Sequence, residues 1–64
     1  MKVNGMVEPL EKDQTLYEYL TLKNFDLTKI AVERNGEIVP KTEYETVQLQ
    51  DQDTLEIVKF VGGG

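Results

Sequence analysis

Cysteine, histidine, serine and tryptophan are all absent from this 64-residue chain, and most routes to catalysis go with them. Without cysteine or serine there is no ordinary thiol or hydroxyl nucleophile, and without histidine no side chain titrates near neutrality at its unperturbed pKa. Zinc loses its two main ligands. No disulfide framework is available, which fits a reducing compartment. No apolar run approaches the roughly 20 residues needed to cross a bilayer. The opening Met1-Lys2-Val3-Asn4-Gly5 reaches a turn before any apolar stretch, so no secretory signal is expected and the cytoplasm is the expected location. Basic residues are scarce too: seven Lys or Arg face twelve Asp or Glu, a net charge of −5. Such a surface repels phosphate backbones and argues against a nucleic-acid partner, whereas a basic protein face would complement it. The expectation is a binding protein, not an enzyme.

What is present is regular. A chain this short hides only about 60% of its unfolded surface, so one domain over residues 1–64 is expected. Asn4-Gly5 and Asn35-Gly36 each interrupt strand-like residues, the pattern of a two-residue hairpin. Pro9 cannot donate in a ladder, which sends the second strand to a sheet edge or ends it near Pro9. Thr15 and Glu18 have capping-box spacing, predicting a helix over 16–23 with Leu16, Tyr19, Leu20 and Leu22 inward and Asn24 as a left-handed stop. Lys23 points the same way and is expected to stretch its charge out to water. Ile30 to Arg34 and Glu37 to Val39 read as strands, 41–46 as a short helical turn or loop, and Leu55 to Phe60 as the last strand. This order is that of a β-grasp, or ubiquitin-like, fold: α+β, a mixed sheet of four to five strands with one helix on one face.

Several constellations invite chemistry. Asp51 and Asp53 resemble the start of a calcium loop, but the glycine and glutamate such a loop requires at its sixth and twelfth positions are replaced by Glu56 and Gly62, so an ordinary turn is expected. Carboxylate pairs such as Glu43 with Glu45, or Glu33 with Glu37, read as charged surface. No metal site is expected. In the last strand Leu55 and Ile57 alternate with Val58 and Phe60, so that if the former meet the helix the latter, with Ala31, lie on the uncovered face. Val58, Phe60, Val61 and Gly62 are therefore candidate partner-binding residues. Residues 61–64 read as a flexible tail, because glycine carries the highest backbone entropy and adds no packing. Extended, the four residues reach about 13–14 Å, enough to place the Gly64 carboxylate in a narrow channel of another protein.

The chain resembles the ThiS family of sulfur carriers, small β-grasp proteins of thiamine biosynthesis. Val3-Asn4-Gly5, Thr15-Leu16 ahead of Tyr19-Leu20, the segment from Ala31 to Pro40, and the ending from Leu55 to Gly64 carry the resemblance. Lys23, Asn24 and Gln52 depart from the family's usual apolar residue and glycines. The resemblance implies that Gly63 and Gly64 form the reactive end. An E1-like adenylyltransferase (ThiF-type) uses ATP and Mg²⁺ to convert the Gly64 carboxylate to an acyl-adenylate. Sulfur from a persulfide donor system then displaces AMP to leave a thiocarboxylate. Thiazole synthase (ThiG-type) accepts the sulfur. On that reading this chain binds no cofactor itself and contributes no catalytic side chain. A ubiquitin-like modifier, a carrier for another pathway such as molybdopterin synthesis, and a plain interaction domain are the alternatives.

Overall fold

Each Asn-Gly pair makes the turn its residues favour. In the computed structural model, which describes residues 1–60, Asn4 and Gly5 have φ of 51° and 83°, and Asn35 and Gly36 have 53° and 86°. Two successive positive values define a type I′ turn, which asparagine and glycine enter at least cost. The first turn joins β1 (Lys2–Val3) to β2 (Met6–Val7), and the second joins β3 (Ile30–Arg34) to β4 (Glu37–Ile38). With β5 (Thr54–Lys59) they form one five-stranded sheet in the order β2-β1-β5-β3-β4. β5 lies parallel to β1 and antiparallel to β3, and β2, ahead of Pro9, lies at an edge as expected.

The helix α1 spans Leu16–Leu22. Thr15 Oγ1 accepts from the Glu18 amide at 3.1 Å while Glu18 Oε1 accepts from the Thr15 amide at 2.8 Å, a reciprocal cap that satisfies donors left open at a helix start. The helix stops at Asn24, φ 64°. There the Asn24 amide donates to the Thr21 carbonyl and the Phe25 amide to the Leu20 carbonyl, the paired bonds of a Schellman ending. Asparagine thus serves where the family favours glycine.

Leu16, Tyr19 and Leu20 are buried against Val3, Ile30, Val32, Leu55 and Ile57 of the sheet. Leu22 departs from expectation: it is 62% exposed, because it lies about 120° around the helix from Leu16 and a helix this short buries only a narrow stripe. Lys23 carries its charge outward as expected, with half of its side chain exposed, but the charge does not stand alone there. Its ammonium meets Glu8 at 3.0 Å and sits 5.7 Å above the Tyr19 ring, and Tyr19 donates its hydroxyl to the same Glu8 oxygen at 2.6 Å. Segment 41–46 does form a short helical turn, Lys41–Glu43, and beyond it Tyr44 and Leu49 enter the core.

β5 is anchored by polar side chains on both flanks. Asn4 Oδ1 accepts from the Ile57 amide at 2.7 Å, and Asn35 Oδ1 from the Thr54 amide at 2.9 Å. The two turn asparagines therefore bond β5 as well as supplying positive φ. Just before β5, the buried carboxylate of Asp53 accepts from Arg34 Nε at 2.9 Å, Asn35 Nδ2 at 3.0 Å and the Gln50 amide at 2.9 Å. Burial pushes this carboxyl up, but the bonds from Asn35, Gln50 and Arg34 outweigh it and hold it below the usual aspartate range. Gln52, in the same turn, has no positive φ, so the turn does not need the family's glycine.

Candidate docking face and tail root

A strand presents alternate side chains to opposite faces, so pairing register alone assigns the face that the helix leaves open. Ala31 pairs with Val58 and Glu33 with Glu56 across β3 and β5, while Ile38 pairs with Glu33 across β4 and β3. On the other side Lys2 pairs with Thr54 and with Val7. The open face therefore holds Val58, Ala31 and Ile38 around Glu33 and Glu56, with Val7 at the far edge beyond Thr54 and Lys2.

Val58 and Phe60 are each 55% exposed, whereas Leu55 and Ile57 are buried under the helix. The two phases of the last strand thus separate as the alternation predicts. Ile38, at 66% exposure, and Val7, at 77%, extend the face and were not singled out from sequence. The signal for Ile38 was available: a two-residue turn at Asn35-Gly36 sets Glu33 opposite Ile38, and so places Ile38 on the same face as Ala31.

Phe60 is the last described residue. Its amide donates to the Lys29 carbonyl at 2.8 Å, continuing the β3–β5 pairing one step beyond the strand. The Lys41 ammonium lies 6.0 Å from the Phe60 ring centroid and donates to the Ile30 carbonyl at 3.0 Å and to the Leu27 carbonyl. Lys59 stands 5.7 Å over the Phe25 ring. Lys29, Lys41 and Lys59 thus gather around Phe60 in an otherwise acidic molecule. Val61, Gly62, Gly63 and Gly64 lie outside the described residues.

The two acids of the D-x-D turn do not converge. Asp51 and Asp53 diverge: Asp51 accepts from the Leu10 amide at 3.1 Å and the Met1 amino group at 3.3 Å, while Asp53 turns to Arg34. Among the described residues no group of three His, Cys, Asp or Glu is arranged to hold a metal ion, and no helix is long and apolar enough to cross a membrane.

Comparison with known proteins agrees with this architecture. The sulfur carrier protein ThiS of Bacillus subtilis is 40% identical over 65 residues, covering 100% of this chain and 98% of its own length. A thiazole synthase of Paramagnetospirillum magneticum is 45% identical over 62 residues, which is 97% of this chain but 19% of that enzyme. This chain therefore spans only a small part of the synthases it matches. The crystal structure of the thiamine biosynthesis protein (ThiS) from Geobacter metallireducens superimposes with a TM-score of 0.82 at 29% identity, over 98% of this chain and 96% of that one. The model of the ThiS family matches residues 1–64, and the chain belongs to that family.

Proposed function

We propose that this chain is a sulfur carrier for formation of the thiazole of thiamine, with Gly64 as the residue that bears the sulfur. The observation that carries this reading is the full-length likeness to the Bacillus subtilis carrier. A carboxylate is a poor electrophile because its leaving group would be oxide. An E1-like partner, using ATP and Mg²⁺, joins the Gly64 carboxylate to AMP with release of pyrophosphate. The outer sulfur of a persulfide donor then attacks the acyl carbon and expels AMP, leaving an acyl disulfide; a thiol cleaves its S–S bond, becoming a disulfide with the donor's sulfur, and the released thiocarboxylate passes its sulfur to thiazole synthase. The catalytic groups belong to the partners, a division that suits a chain without cysteine, histidine or serine. The synthase as acceptor is supported by relatives in which a carrier-like stretch and a thiazole synthase share one polypeptide.

The open face offers Val58 and Phe60 as docking residues, with Val61 and Gly62 leading to the reactive Gly63 and Gly64. The reactions belong in the cytoplasm, where ATP is available. The test is intact mass after incubation with ATP, the activating enzyme and a sulfur donor. Exchange of one carboxylate oxygen for sulfur adds about 16 Da, the same nominal shift as methionine oxidation. Fragmentation that places the gain at Gly64 supports the reading; a gain found only on Met1 or Met6 overturns it.

A further inference from the structure

Most charged side chains that the fold brings close together are opposite in sign: Arg34 with Asp53, Lys23 with Glu8. Glu33 and Glu56 break that pattern. They are directly opposite on β3 and β5, near the middle of the open face, where paired residues have Cβ atoms roughly 5 Å apart and like charges destabilise the sheet. Neither carboxylate forms an ion pair or a hydrogen bond among the described residues. Lys2 is the nearest cation by register, one diagonal step from Glu56 across β1 and β5, and it makes no ion pair with it. The surroundings are apolar and uncovered: Ile38 flanks Glu33, the Ala31–Val58 rung lies two residues along, and Phe60 lies beyond.

An arginine or lysine suits such a surface, because its aliphatic stem covers apolar groups while its charged head reaches carboxylates. Seated between Glu33 and Glu56, the head would relieve their repulsion and form charge-assisted bonds to both. Resting on the carrier reading above, we infer that thiazole synthase docks on the open sheet face by laying one of its own basic side chains across Ile38 and Val58 and placing its cation between Glu33 and Glu56. The synthase is the occupant because relatives join it to a carrier-like segment, and charge complementarity to a −5 chain selects its basic surface. Position supports the assignment as well. Glu56 lies four residues before Phe60, about 13 Å along an extended strand, so a partner held there is anchored at a fixed distance from the tail root.

The experiment measures binding of full-length wild type, E33Q, E56Q and the E33Q/E56Q double variant to thiazole synthase from the same organism, by titration calorimetry at low and high salt, with melting temperatures alongside. The double variant should melt at or above the wild-type temperature and bind about tenfold or more weakly at low salt, with the difference shrinking at high salt. Wild type that binds while the double variant binds equally well overturns the clamp and leaves the carrier reading intact. Wild type that gains sulfur at Gly64 but fails to bind the synthase overturns both the clamp and the choice of acceptor. Weaker binding that merely follows a lowered melting temperature, and disappears when measured well below that temperature, also overturns it.

Discussion

Asp53→Ala should be among the most destabilising single changes outside the apolar core. The substitution removes the acceptor of Arg34 Nε, Asn35 Nδ2 and the Gln50 amide, bonded at 2.9, 3.0 and 2.9 Å. A donor left without a buried partner costs about 1–3 kcal/mol. Arg34 keeps 31% of its side chain exposed and Asn35 and Gln50 lie at the surface, so water recovers part of each loss and the low end applies, about 3 kcal/mol in all. A domain of this size holds roughly 3–10 kcal/mol, and each kcal/mol moves its melting temperature by about 4–8 °C. A fall of about 12–24 °C in thermal circular dichroism is therefore expected. Asp53→Asn keeps the shape and should cost less, but it changes the acid limb of the stability curve. The folded carboxyl is held below its ordinary value, so its contribution is full above about pH 4 and is lost as pH falls through the folded pKa. Glu8, Asp26 and Asp51 are lowered as well, so the variant's acid slope should become shallower and not flat. A melting temperature of Asp53→Ala within 3 °C of wild type, or an unchanged acid slope in Asp53→Asn, would refute the hub.

Asn35→Ala should cost about 1–3 kcal/mol in urea unfolding, since it loses the Thr54 and Asp53 bonds and strains a positive φ; Asn35→Gly should recover the strain and not the bonds. Ile57→Ala should lose about 2–5 kcal/mol of stability through a core cavity, whereas Phe60→Ala should keep nearly all stability and weaken binding to the activating enzyme by about 1–3 kcal/mol in calorimetry. Gly64→Ala should leave the melting temperature unchanged and slow adenylation, measured as pyrophosphate release. One residue added after Gly64 should be worse, because it moves the carboxylate by about 3.5 Å.

The elements legible in the sequence were those whose signal is local. Asn-Gly turns, a Thr-x-x-Glu cap and the alternation of β5 each act within a few residues, and all appear where expected. Leu22 misled because hydropathy cannot say how wide a buried stripe a seven-residue helix will have. For Lys23 the exposure was legible but its partner was not, because Glu8 lies just after β2, 15 positions earlier. Asp53 shows the same limit more sharply: a D-x-D turn looks solvated until folding brings Arg34 and Asn35 to it from another hairpin. Tyr44 and Leu49 sit in a stretch without a period, so only the closed fold reveals them as core. On the open face Val58 and Phe60 were legible by phase, while Ile38 required the hairpin register as well.

The placement of β5 connects this architecture to the proposed chemistry. It is the central strand, bonded along β1 on one side and β3 on the other, and the Asn4 and Asn35 side chains tie its amides from both flanks. A rigid central strand has little freedom to shift relative to the face it helps form. Phe60 continues the β3–β5 pairing through its bond to Lys29, so its position is fixed with respect to Val58, Glu56 and Ile38. On the proposed reading, a partner that recognises the open face would meet Phe60 at a fixed position, and residues 61–64 would be what its active site receives. Positional accuracy of this kind is what bringing a carboxylate to a phosphate, or a thiocarboxylate to an acceptor, demands. If the proposed docking holds, the face and not the glycines alone would decide which enzyme receives the sulfur, because glycines are chemically generic whereas the carboxylate pair and its apolar frame are not.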